Sequence, residues 1–108
     1  MVLVVFRSRY KEGADLDAHQ ALSLEMHELV RAQDGFLSIE TFDAPDGTRV
    51  SLVYFATDEA ATAWRGHPAH REAQRRGRDE FYSWYSVHTA EVLRSHELNL
   101  TTTAPGAR

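Results

Sequence analysis

The sequence predicts an α+β fold of the ferredoxin-like type, a four-stranded antiparallel sheet with helices on one face. Three observations carry that expectation. Strand-like and helix-like spacings of apolar residues follow one another in the order β-α-β-β-α-β. Turn signals at Glu12-Gly13, Asp34-Gly35 and Pro45-Asp46-Gly47 separate the first four segments. The first and third strand segments are apolar at both parities, as the two central strands of this topology require.

Taken in order, Val2 to Arg9 is rich in β-branched and aromatic residues and reads as the first strand. Asp15 or Asp17 caps a helix whose buried stripe is Leu22, Met26, Leu29 and Val30. Phe36 to Phe42 is the second strand, with Leu37, Ile39 and Thr41 on one face and Ser38 and Glu40 on the other. Pro45-Asp46-Gly47 joins it by a hairpin to a third strand, Arg49 to Ala56. Thr57 or Asp58 opens a short helix through Trp64, and Pro68 suits the first turn of a continuation to about Phe81. Tyr82 to Leu93 is the fourth strand. Residues 1–97 form one domain, and residues 98–108 are a tail without periodicity.

With 108 residues, the chain has room for one domain and not two. It has no cysteine, which excludes disulfide scaffolds, thiolate metal sites and cysteine nucleophiles. A net charge of -4 argues against a protein that coats nucleic acid. The apolar run Val2-Leu3-Val4-Val5-Phe6 is too short to span a membrane or form a signal-peptide core. A cytoplasmic protein without nucleic-acid or membrane partners is expected. No glycine-rich phosphate loop is present, so no nucleotide cofactor is indicated.

Two helices cover only one face of such a sheet, yet the central strands are apolar on both. A second copy packed sheet to sheet resolves the conflict, so a homodimer is expected.

Trp64, His67, Arg71 and Gln74 fall at i, i+3, i+7 and i+10, one stripe if the helix runs through Pro68. Trp64 would be a flat wall for an aromatic ligand, with His67 and Gln74 as polar anchors. An imidazole there could take a phenolic proton, leaving an electron-rich anion able to react with oxygen. The competing reading makes Trp64 core and His67 a helix cap. His67 and His70, at i and i+3, could also present two metal ligands with His88 or Glu72 as a third. Surface histidines are the better reading, and no metal is expected. Between Arg65 and Arg78 five arginines face one glutamate, which reads as a solvated helix face paired with acidic residues of the first helix across a dimer. In Tyr82-Ser83-Trp84-Tyr85-Ser86-Val87-His88, alternation puts Trp84, Ser86 and His88 on one face and Tyr85 and Val87 on the other. Arg7 and Arg9 on a covered strand would need an anionic partner.

Gly35-Phe36-Leu37-Ser38-Ile39-Glu40-Thr41-Phe42, the strand Val50 to Phe55, Asp58 to Trp64 and His67 to Arg78 together resemble the antibiotic biosynthesis monooxygenase family of dimeric α+β barrels. The resemblance runs from residue 2 to about 95. It implies a homodimer and a cofactor-independent monooxygenase of an aromatic or quinone-like small molecule. In the polyketide oxygenases of that family strand three supplies an Asn and a Trp and the next helix a Tyr. Those places hold Ser51, Phe55 and Ala61 here. In haem-degrading members the Asn, Trp and His places hold Phe6, Trp64 and Gln74, so the axial ligand is missing. Candidate catalytic residues are therefore His67 and His70, with Trp64, Gln74, Arg7, Tyr54 and Ser51 as candidate substrate contacts. The alternative is a non-catalytic small-molecule-binding or stress-response module, which the departures at Ser51, Phe55 and Ala61 favour. Haem binding is the weakest of the three.

Overall fold

In a computed structural model, which describes residues 1–101, the chain begins in strand β1, Val2–Tyr10. Helix α1 (Leu16–Arg31), strands β2 (Phe36–Asp43) and β3 (Arg49–Phe55) and helix α2 (Asp58–Arg65) follow. Helix α3 (Pro68–Arg76) then winds into a π-helical turn, Gly77–Phe81, before strand β4, Tyr82–Glu91. The four strands form one antiparallel sheet in the order β2-β3-β1-β4. This is the ferredoxin-like α+β arrangement, with β1 and β3 central.

Local chemistry sets the boundaries. Asp15 caps α1 by accepting from the Ala18 N–H at 2.9 Å, which selects it over Asp17. Thr57 does the same for α2, accepting from Ala60 at 3.1 Å. The second helical stretch is not continuous through Pro68. Gly66 closes α2, and His67 opens α3 with Pro68 in its first turn. Strand β4 stops at Glu91 rather than Leu93, although the Val92 N–H still donates to the Met1 carbonyl at 2.9 Å. Of the expected tail, residues 102–108 lie outside the described residues.

Register decides which side chains meet the helices. Val4 pairs with Val53 and Thr89, and Phe6 with Ser51 and Val87, so these residues share one face. Val2, Val53 and Phe55 of that face pack with Val30 of α1 and Ala61 and Trp64 of α2 to form the core. Phe55, Phe81 and Val30 are each only 1% exposed, and each contributes roughly 1.5–3 kcal/mol through burial. In β2 the register shifts, because Phe36 pairs with Phe55 and Ser38 with Tyr54. Leu37 is the extra residue of this bulge. It is 51% exposed and does not join Ile39 against the core, as simple alternation had it.

Gly35 marks the tightest approach. Its φ is +81°, and a Cβ there would come within 2.7 Å of the Ala60 Cβ on α2. Gly35→Ala must strain the backbone and push α2 outward, so thermal unfolding should show a loss of about 1–3 kcal/mol. An unchanged melting temperature would show that α2 shifts freely. No helix among the described residues is long and apolar enough to cross a membrane.

Candidate functional site

Between α2, α3 and the helix-facing side of the sheet lies a cavity of about 590 Å³. The strands supply an apolar floor of Val4, Phe6, Val53 and Phe55, continued by Tyr85 and Val87 of β4. The helices supply Ala61, Trp64, His70 and Gln74. Such a space suits one planar ligand of two or three rings.

The break at Gly66 decides which histidine enters. Because α3 starts afresh at Pro68, His70 stacks on the Trp64 ring at 4.3 Å and 13°. Its Nδ1 lies 3.1 Å from the Trp64 carbonyl oxygen. A carbonyl only accepts, so in the tautomer that makes this bond Nδ1 carries the proton and Nε2 keeps the lone pair. Burial pushes the His70 pKa below the ordinary histidine value, ahead of the opposing effect of that carbonyl. The ring is therefore neutral at pH 7 and can accept a proton at Nε2. Gln74 lies beside it: its Nε2 donates to the Arg65 carbonyl at 3.4 Å and sits 3.3 Å from His70 Nδ1.

Other expected residues fall elsewhere. His67 caps α3, accepting from the Ala69 N–H through Nδ1 at 3.1 Å, and does not line the cavity. The helix break is the reason, since the proposed i, i+3 stripe needed an uninterrupted helix. Alternation from Val4 and Val53 puts Arg7 and Tyr54 on the opposite, open face of the sheet. There the Arg7 guanidinium lies 5.3 Å from the Trp84 ring centroid. Ser51 faces the helices, but its hydroxyl pairs with Thr41 at 3.1 Å and borders a second, smaller cavity. On β4, Tyr85 and Val87 line the large cavity, and Trp84, Ser86 and His88 lie on the open face.

Among the described residues no three histidine or carboxylate side chains gather as metal ligands. His67 is spent as a cap, Glu72 is bonded to Arg75, and His88 is across the sheet. Two of the five arginines in that stretch find acidic partners close by in their own chain. Arg75 meets Glu72 and Asp79, and Arg76 meets Glu80 at 3.1 Å, all exposed to solvent.

Sequence reasoning missed a buried polar cluster behind the large cavity. His19, on α1, is 7% exposed and lies between two tyrosine hydroxyls. Tyr10 Oη is 2.6 Å from its Nδ1, and Tyr82 Oη is 2.8 Å from its Nε2. Arg49 Nη1 donates to the Tyr10 oxygen at 3.3 Å. Desolvation, helped by the Arg49 charge, pushes the His19 pKa down to about 4. Burial pushes Tyr82 up to about 12, with Tyr10 adding and Arg49 opposing. The available signal was spacing: His19 precedes Leu22 and Met26 by three and seven residues, on the same buried stripe.

Comparison with known proteins supplies further findings. The sequence profile of the antibiotic biosynthesis monooxygenase family matches residues 1–76. The uncharacterized protein YqjZ of Bacillus subtilis is 35% identical over 69 residues, which is 64% of this chain and 60% of that protein. Among solved structures, Rv0793 from Mycobacterium tuberculosis superposes with a TM-score of 0.78 at 23% identity, covering 89% of this chain and 98% of that one. A mutant of SnoaB, a cofactor-independent oxygenase from Streptomyces nogalater, gives 0.73 at 11% identity, covering 87% of this chain and 94% of that one. Identities this low establish a shared fold and leave the chemistry to the site.

Proposed function

Because the chain belongs to the antibiotic biosynthesis monooxygenase family, whose profile covers residues 1–76, we propose that it is an oxygenase of a small hydroxylated aromatic or quinone-like molecule. One observation carries the reading: an imidazole, His70, stacks on Trp64 inside an aromatic-lined cavity. The ligand ring would lie among Trp64, Phe6 and Phe55. His70 Nε2 would take a proton from the substrate, leaving an anion that gives an electron to oxygen. The apolar floor excludes water and holds the reacting atoms together. One oxygen atom enters the product as a carbonyl, and the other leaves as water with two substrate hydrogens. The proposal requires no metal or flavin for this.

Oxygen uptake with a panel of anthrones and hydroxynaphthalenes tests the reading. His70→Gln should lower the rate about 10²–10⁴-fold with little change in KM, as loss of a general base does. Equal rates in variant and wild type would remove His70 from the chemistry. A second reading, binding without turnover, is favoured by Phe55 and Ala61, which line the cavity with no hydrogen-bonding group. Its signature is a ligand-dependent rise in melting temperature with no oxygen consumed.

We further propose a homodimer closed through the open sheet face. That face carries Leu3, Val5, Val50, Leu52 and Tyr54 on the central strands, with Phe42 and Trp84 at its edges. Phe42 is 52% exposed and Trp84 39% exposed in the single chain. Arg7, Glu40 and His88 share the face, but the apolar residues of the central strands adjoin one another, and a soluble monomer rarely leaves such a surface in water.

A further inference from the structure

We propose that the smaller cavity is an oxyanion pocket that receives a negatively charged oxygen on the aromatic ligand, with the Tyr82 hydroxyl and the Arg49 guanidinium as its donors. The proposal rests on the reading of the larger cavity as an aromatic-binding site, and it names the substituent that the ligand carries. The smaller space, about 130 Å³, is lined by Arg49, His19, Ser23, Ser51 and Tyr82 among others. Phe6, Ala73 and Tyr82 border both spaces, so a ring in the larger one can project an oxygen into the smaller.

Two features point to an anion. Arg49 is half-buried and makes no ion pair with a carboxylate among the described residues, although Asp43 stands opposite it on β2. Its side chain spends one N–H on Tyr10 and leaves the remaining donors of a planar fork for another acceptor. A half-buried guanidinium without a counter-ion is costly, and a ligand anion would offset that cost.

The second feature is the direction of the hydrogen-bond chain. Arg49 can only donate, so Tyr10 accepts from it, and in the Nε2–H tautomer of His19 the Tyr10 hydroxyl donates to Nδ1. Neutral His19 then donates from Nε2 to the Tyr82 oxygen. The Tyr82 hydroxyl hydrogen is left over at the end of a chain in which every bond polarises the next. Gly77 fixes that end: a Cβ there would lie 2.6 Å from the Tyr82 ring, so only glycine lets the ring settle where its hydroxyl meets His19. Tyr82 and Arg49 touch the ligand in this scheme, whereas His19 and Tyr10 are positioning residues.

Calorimetric titration with two probes tests the proposal. One is 2-hydroxy-1,4-naphthoquinone, an anion at neutral pH because it is a vinylogous acid; the other is neutral 1,4-naphthoquinone. The chain has no cysteine for the quinones to alkylate. The wild type should bind the anion at least about 10-fold more tightly than the neutral quinone. Tyr82→Phe and Arg49→Met should each cut that preference about 10-fold while leaving neutral-quinone affinity within roughly 2-fold. Tyr10→Phe, which keeps the Tyr82 hydroxyl, should cut it by a smaller factor, an effect on selectivity that a merely structural role would not produce. Arg49→Lys should restore part of it. An anion preference unchanged in both Tyr82→Phe and Arg49→Met overturns the oxyanion pocket and leaves the aromatic cavity standing. Wild type that binds neither probe overturns the cavity reading as well.

Discussion

Leu52→Arg is expected to turn a dimer into a folded monomer, with an apparent dissociation constant raised at least about 100-fold. Leu52 stands near the middle of the open sheet face, paired with Val5 of β1 and Glu40 of β2. Its side chain points away from the core that Val53, Phe55, Val30 and Trp64 build on the other side. The substitution therefore leaves the helix-facing core untouched. The new guanidinium would lie opposite Glu40, so in a single chain it gains a cross-strand ion pair and a wet surface. Between two stacked sheets the same group would meet its own copy in an apolar layer, and an unpaired buried charge costs several kcal/mol. Sedimentation at micromolar concentration reads the mass, and far-UV circular dichroism reads the fold. Monomeric wild type under those conditions would sink the paired-sheet proposal outright. A variant that stays dimeric would place the contact elsewhere on the surface.

That open face was readable from parity alone. Val2-Leu3-Val4-Val5-Phe6 and Val50-Ser51-Leu52-Val53-Tyr54-Phe55 have too many apolar residues for strands covered on one side. The caps were readable to within a residue or two, because Asp15, Thr57 and Pro68 each act within one turn of their own position. What escaped depends on register and on distant partners. One extra residue in β2 takes Leu37 out of pairing, and nothing in its neighbours' composition announces a bulge. Whether the helix ran through Gly66-His67-Pro68 decided between His67 and His70, and both answers fit the local sequence. Arg7 and Tyr54 look like site residues until the pairing of β1 with β3 fixes their parity. The His19 cluster joins β1, α1, β3 and β4, with His19 and Tyr82 63 positions apart, so its members met only in the fold.

The same cluster makes stability depend on pH in a defined window. His19 has a folded-state pKa near 4, against about 6.5 in an unfolded chain. Above pH 6.5 the ring is neutral in both states, and its contribution to stability is complete. As pH falls from 6.5 to 4, the unfolded chain takes a proton that the folded chain refuses, and stability declines. Below 4 both states are protonated and this group adds no further slope. At about 1.4 kcal/mol per unit the loss is on the order of 3 kcal/mol, which corresponds to a drop of roughly 10 °C or more in melting temperature for a domain of this size. His27 and His70 are shifted downward for the same first cause, desolvation, so the wild-type curve has more than one contributor. His19→Gln isolates the cluster. Glutamine offers a donor and an acceptor to the two tyrosine hydroxyls but does not titrate. Thermal melts from pH 7 to 4 should fall less steeply in the variant, with the difference appearing between 6.5 and 4. Parallel curves would mean that His19 takes up its proton without opening the Tyr10–Tyr82 bridge, and the donor order assigned to that bridge would then be wrong.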